Sequence, residues 1–338
     1  MKNVLIITRD PLVHPRQTIN GSGLSDDCKC RFFINKIDCT PDFVVVMNKG
    51  LVNEACYLVP KSRTLLLTTE PHGIYEYPKS YCMQFGTVMA CQPELKLPSA
   101  CGTRVLYTPA VLPWFVGGVF GINGCSMAMD REDISSAAPK KEKLISVITS
   151  RKAFTKGHID RLRFVNKLNE FFGDRVDIFG AGFRKFDDKW EAIAPYKYHI
   201  VIENTEGDYY WTEKLADCYL AGAYPLYHGC TNIGEYFPEG AYTQINVRDF
   251  DSVARLIDGL EREGLYENRK HLLEESKKRV LSRYNMFNLI ADAIAGIECD
   301  GEEGTVRIKP ASAFFSFHNL FLHTIEWSYY KMLGNYFV

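Results

Sequence analysis

The chain has 338 residues, enough for two domains of ordinary size, and 46% of them are hydrophobic, enough to fill two cores. A formal net charge of −1 excludes a general nucleic-acid binder, which carries a basic excess. Eleven cysteines cannot all pair within one chain, and the length is not that of a small disulfide-framed domain.

Cys28 and Cys30 form a C-x-C pair without a second pair at zinc-like spacing, so a reducing compartment is expected. No apolar run approaches the ~20 residues of a membrane span, and residues 1–10 do not read as a secretory leader. A soluble cytoplasmic protein is the expectation, peripheral to a membrane at most.

Residues 4–8, 43–47 and 65–69 are short continuous apolar runs, the pattern of strands covered on both faces of a parallel sheet. Leu106 and the run around Val111 fit the same half. Residues 128–143 turn polar, charged and small, and a boundary is expected there. Strands follow at 144–148, 176–179, 198–202, 224–227 and 243–247. Helices are expected at 159–172, 212–221, 252–261 and 267–283, the first from Leu162, Val165, Leu168, Phe171 and Phe172 at three- and four-residue steps.

This β–α–β alternation predicts an α/β chain of two Rossmann-like domains facing a cleft, at 1–140 and 141–310. A tail at 311–338, crowded with Phe314, Phe315, Phe317, Trp327 and Tyr330, is expected to be helical. It either packs back on the body or lies at a membrane surface.

The chemistry gathers at 196–250. A buried strand ends in Glu203–Asn204, and after a short loop Thr212 stands where a helix N-cap belongs, with Leu215, Cys218 and Tyr219 as its apolar stripe. A strand end facing a helix start is where α/β sheets hold phosphorylated ligands, because the helix offers unpaired N–H groups and partial positive charge. Lys214 adds a full charge. A lysine in a first helical turn opposes the helix dipole, which hints at an anion nearby.

The order Tyr196-Lys197-Tyr198, Glu203-Asn204, Tyr210-Trp211-Thr212-Glu213-Lys214, Ala221-Gly222-Ala223-Tyr224-Pro225 and Asn246-Val247-Arg248-Asp249-Phe250 resembles glycosyltransferase family 10, the α-1,3/1,4-fucosyltransferases. Trp211 and Leu226 depart from the family's Ile or Val, and both remain apolar. The resemblance implies a GT-B type fold and inverting transfer of fucose from GDP-fucose to an oligosaccharide acceptor. The first domain would bind the acceptor and the second the nucleotide sugar.

By the same resemblance Glu70, at the end of a strand and before Pro71, is the general base, with Glu76 and His72 as competitors. Arg161, Glu203, Asn204, Tyr210, Thr212, Glu213 and Lys214 would bind the donor. Arg163 is the alternative to Arg161, since the two lie about 200° apart on a helix. Cations and a helix start neutralise the leaving diphosphate, so no metal and no further cofactor are expected.

Three other readings remain. The same fold could move another GDP-deoxysugar, or bind carbohydrate without catalysis. Gly180-Ala181-Gly182 could belong to a nicotinamide oxidoreductase, though it lacks a third glycine and a clear helix after it. Asp249-Phe250-Asp251 has the form of an Asp-x-Asp metal site.

Overall fold

The computed structural model describes residues 1–121, 124–298 and 303–315. Its first unit contains strands β1 (Lys2–Ile7), β2 (Cys30–Ile34), β3 (Phe43–Met47), β4 (Ala55–Tyr57), β5 (Thr64–Leu67), β6 (Thr87–Ala90) and β7 (Arg104–Tyr107), with the single-turn helix α1 (Lys79–Cys82). All but β4 form a six-stranded parallel sheet in the order β2-β1-β3-β5-β6-β7. The continuous apolar runs are explained by burial on two faces. Phe43, Val45 and Met47 of β3 enter one core and Val44 and Val46 the other.

A hairpin of β8 (Gly118–Gly121) and β9 (Gly124–Met127) leads to helix α2 (Arg131–Ser136). The segment 128–143, expected to be a plain linker, therefore carries a folded helix. Asp130 and Asp133 close a capping box around its start, Ile134 is fully buried, and Arg131 forks onto Asp26 through two hydrogen bonds.

The second unit holds β10 (Lys143–Thr149), α3 (Lys156–Phe172), β11 (Asp177–Gly180), α4 (Lys189–Ile193), β12 (Tyr196–Gly207), α5 (Glu213–Leu220), β13 (Tyr224–Cys230), β14 (Thr243–Gln244), α6 (Phe250–Glu263) and α7 (Leu265–Leu281). Its five strands are parallel, in the order β11-β10-β12-β13-β14. Both sheets therefore place their second strand outside their first. Each is a doubly wound sheet of the 2-1-3-4-5 kind, with its switch point between β1 and β3 in one and β10 and β12 in the other.

The range 141–310, read as one unit, is divided by the structure. Helix α8 (Met286–Ala295) returns to the first sheet, where Met286, Phe287, Ile290 and Ile294 pack against Val4, Ile6 and Phe32. Strand β15 (Val306–Ile308) then pairs antiparallel with β4. Of the tail expected to be helical over 311–338, 311–314 forms a 3-10 turn, and 316–338, with any membrane contact, lies outside the described residues. No helix among the described residues is long and apolar enough to cross a membrane. The nine cysteines whose side chains are described are free thiols.

Asn285 secures the return of the chain. Its Oδ1 accepts from Phe287 N–H at 2.9 Å as the N-cap of α8, and its Nδ2 donates to the Gln17 carbonyl at 2.7 Å. Asn285→Ala removes the cap and orphans a buried carbonyl, and urea unfolding should show a loss of about 1–2 kcal/mol.

Candidate active site

Helix α5 begins at Thr212, whose extended backbone (φ −129°, ψ −170°) and hydroxyl, accepting from Lys214 N–H, make the N-cap. Leu215, Cys218 and Tyr219 bury its apolar stripe. The strand expected to end at Glu203–Asn204 runs on to Gly207, and within it the fully buried Glu203 carboxylate accepts from Thr212 N–H at 2.8 Å and from the Thr212 hydroxyl. Lys214 Nζ donates to Glu203 Oε2 at 3.2 Å and to Thr212 Oγ1 at 3.1 Å.

The lysine in the first turn is thus already answered by the protein's own anions, Glu203 beneath it and Glu213 at 3.6 Å. An ammonium has three donors, and these two hydrogen bonds leave one for a ligand.

The charges continue as an alternating row. Glu213 and Asp217 are one turn apart on α5, so they share a face. Lys189 Nζ bridges them, at 3.4 Å from Glu213 and 2.8 Å from Asp217. The fully buried Asp217 also accepts from the Phe115 and Val116 amides at 2.8 and 3.1 Å, which ties α5 to the segment leaving the first unit.

Burial raises the Glu213 carboxyl, but Lys214 and Lys189 outweigh it and pull the pKa down to about 2. Burial lowers Lys214, but Glu203 and Glu213 more than offset it and hold the ammonium above its ordinary value.

Two cavities meet at this row. One, of about 640 Å³, lies along the second sheet and is walled by Gly180–Phe183, Phe186 and His199–Ile202. The other, of about 490 Å³, lies between the units, where Thr8–Asp10, Asn48–Gly50 and Glu70 of the first unit face Asn204, Tyr210 and Thr212 of the second. Phe115, Ser150, Lys152, Arg161, Glu213 and Lys214 line both, so the junction carries three cations.

Helix α3 starts at Lys156, capped by Thr155, three residues before the periodicity indicates. It lies so close to β12 that a Cβ on Gly157 would stand 2.1 Å from the Asn204 carbonyl oxygen. That approach lets buried Arg161 reach Asn204 Oδ1 at 2.8 Å and Ser150 Oγ at 3.1 Å, while its Nε–H finds no partner. Burial presses the Arg161 pKa down to about 10. Arg163 is exposed and lines neither cavity.

Of the remaining sequence-predicted residues, Asn204 lines the inter-unit cavity and positions Arg161. Tyr210 lines it as well, packed with Cys91 and Ala110, and burial raises its hydroxyl well above the ordinary range. Glu203 lines neither cavity and acts from behind Lys214. Glu70, just past β5, sits on the opposite wall. Its backbone carbonyl is held by Gln92 Nε2 at 2.7 Å, and burial raises its carboxyl. Its competitors Glu76 and His72 are exposed and border a separate cavity of about 260 Å³.

Lys152, Lys189, Asp217, Asp10, Arg9 and Lys49 escaped the sequence reading. Only Asp217 left a signal there, an acid among the apolar residues of α5. Trp211 fills an aromatic cluster with Tyr236, Phe237 and Tyr284.

Gly180 and Gly182 line the larger cavity, but the next helix begins only at Lys189, so no helix start follows the turn. Asp249 caps α6 by accepting from Ser252 N–H. Among the described residues no three His, Cys, Asp or Glu side chains group as metal ligands. Ser146 Oγ spends its hydrogen on the Ala192 carbonyl at 2.7 Å and therefore accepts from His199 Nδ1–H at 2.8 Å. That assignment leaves Nε2 of this cavity-lining histidine an acceptor.

Residues 138–274 match the model of "Glycosyltransferase family 10 (fucosyltransferase) C-term", so the resemblance read from 196–250 lies inside a family match that contains β10 through most of α7. The match covers about two fifths of the chain. The chain is similar to the α-(1,3)-fucosyltransferase FucT of Helicobacter pylori, 34% identical over 71 residues, which is 21% of this chain and 14% of that protein. It is also similar to α-(1,3)-fucosyltransferase 4 of Bos taurus, 33% identical over 108 residues, covering 30% of this chain and 26% of that one. The match to the human 4-galactosyl-N-acetylglucosaminide 3-alpha-L-fucosyltransferase 9 is 29% over 123 residues, with 35% and 32% covered. The chain thus spans less than a third of the length of each of these relatives. A crystal structure of an alpha1,3-fucosyltransferase superposes with a TM-score of 0.49 at 17% identity, covering 88% of this chain and 90% of that one.

Asp217→Ala leaves Lys189 with Glu213 as its one carboxylate partner and removes the acceptor of the buried Val116 amide. We expect a stability loss of about 3–5 kcal/mol in urea unfolding. Asp217→Asn should cost less, because the amide oxygen still accepts from the backbone.

Proposed function

We propose that this chain is an inverting glycosyltransferase that moves fucose from GDP-fucose to a saccharide hydroxyl. The observation that carries the reading is the junction of the two cavities. Lys152, Arg161 and Lys214 converge there on the second unit, and the Glu70 carboxylate stands on the facing wall of the first. The family match supports the donor chemistry.

In this reading the nucleoside occupies the larger cavity and the diphosphate lies at the junction. The Arg161 guanidinium and the third N–H of Lys214 would face it. Charge-assisted hydrogen bonds contribute roughly 1.5–3 kcal/mol each. Glu213, ionised at neutral pH, accepts from donor hydroxyls.

The acceptor enters the inter-unit cavity. Glu70 takes the proton of its hydroxyl as the oxygen attacks the anomeric carbon, and the bond to the diphosphate breaks on the opposite face. One displacement inverts the centre. Charge building on the leaving diphosphate is met by the fixed cations, which the surrounding row of carboxylates holds in place.

Lys214→Ala should weaken GDP binding at least tenfold in calorimetry, and unchanged affinity would contradict the reading. Glu70→Gln should lower turnover by about 10²–10⁴ while GDP affinity stays within twofold. Release of GDP from GDP-fucose with a saccharide acceptor is the direct assay, and preference for a different GDP-deoxysugar would reassign the donor.

Glu70 works as a base only when deprotonated, and burial sets its pKa above the ordinary 4.5. The rate should therefore fall as pH drops through that raised value, and the acid limb should vanish in Glu70→Gln.

A further inference from the structure

We propose that the first unit carries a second anion site, built by Arg9 and Lys49, which receives a carboxylate or phosphate group on the acceptor saccharide. The proposal rests on the glycosyltransferase reading and specifies its acceptor.

A doubly wound sheet binds its ligand beyond the carboxyl ends of the strands at its switch point. In the second sheet that point, between β10 and β12, holds Ser150, Asn204 and Arg161. The first sheet has its own, between β1 and β3. The residues that follow those strands are Thr8–Asp10 and Asn48–Gly50, and both groups line the inter-unit cavity.

The two turns are locked together. Asn48 adopts φ +54°, donates its N–H to the Leu67 carbonyl at 2.8 Å, and accepts from the Tyr77 and Tyr81 hydroxyls, each at 3.0 Å. A Cβ on Gly50 would stand 2.4 Å from the Ile7 carbonyl oxygen, so only glycine permits this approach of the second turn to β1. Arg9 closes the join from the other side, donating to the Gly50 and Leu51 carbonyls at 3.4 and 3.0 Å. Lys49 rests its ammonium 3.5 Å from the centre of the Tyr75 ring.

The result is two cations on a rigid rim, neither of which has an ion pair among the described residues. Of the carboxylates on the same wall, Glu70 acts on Lys49 through space without pairing with it. Asp10 accepts from Leu12 N–H at 2.9 Å, and Glu70 is the base. Burial lowers the Lys49 ammonium, Glu70 partly offsets this and the Arg9 charge adds to it, so a further anion beside Lys49 would favour its charged form. Both side chains are donors only, which suits an anionic oxygen better than a sugar hydroxyl. Across the cleft the donor diphosphate has its own cations on the second unit, so these two remain for the acceptor.

The test uses the full chain saturated with GDP and ligand-observed NMR with three probes: methyl glucuronide, glucose 6-phosphate and methyl glucoside. We expect a charged probe to bind about tenfold more tightly than the glucoside. The stronger of the two charged probes identifies the group as carboxylate or phosphate. Lys49→Gln and Arg9→Gln should each abolish the preference and leave GDP affinity unchanged.

Equal binding of the three probes, binding of none, or a preference that survives both substitutions would overturn the proposal. Loss of GDP affinity in Lys49→Gln would do the same, by assigning these cations to the donor. If wild-type GDP binding itself fails at Lys214, the glycosyltransferase reading fails first, and the two failures are told apart.

Discussion

The row Glu203–Lys214–Glu213–Lys189–Asp217, closed at each end by a fully buried carboxylate, is the constraint on which the site depends. Any of these charges alone would be expelled from the interior or neutralised by a shifted pKa. Alternation lets each one sustain its neighbours, and each member comes from an element the fold has already placed. Glu203 lies within β12, Lys214, Glu213 and Asp217 share α5, and Lys189 opens α4. At its far end the row meets the backbone of Phe115 and Val116, so the geometry of the junction and the path of the chain between the units are one interaction.

That tie explains how two separate sheets come to share a cleft. Each presents the carboxyl ends of its strands, and each leaves a switch point open there. The connecting segment is held from both sides. Arg16 and Gln17 take the Trp114 carbonyl from the first unit, and Asp188 and Asp217 take the amides of Gly117 and its neighbours from the second. The Tyr107 and Tyr209 rings stack across the gap at 5.5 Å, and α8 returns from the second unit into the core of the first. The walls of the inter-unit cavity are thereby fixed relative to each other, as a reaction between groups on opposite walls requires.

Much of the fold was legible because its signals are local. The apolar runs at 43–47 and 144–148, the N-cap Thr212 and the periodic stripe of α3 report neighbours along the chain, and their elements appear within a few residues of where the pattern puts them. The errors were of another kind. Residues 128–143 look like a linker by composition, yet one buried Ile134 and a capping box suffice for a helix. The return of α8 to the first core could not be seen, because an apolar helical face does not state which sheet it will cover.

The sequence by itself determined the resemblance carried by the second half. The order and spacing from Tyr196 to Phe250 specify a buried strand, a capped helix and the cation beside it, and these are relations within one short stretch. Only the tertiary structure decided which charges act together. Lys152, Lys189, Arg9 and Lys49 are ordinary surface residues when read along the chain. They become wall and rim because strands distant in sequence end side by side, and electrostatic energy follows distance in space.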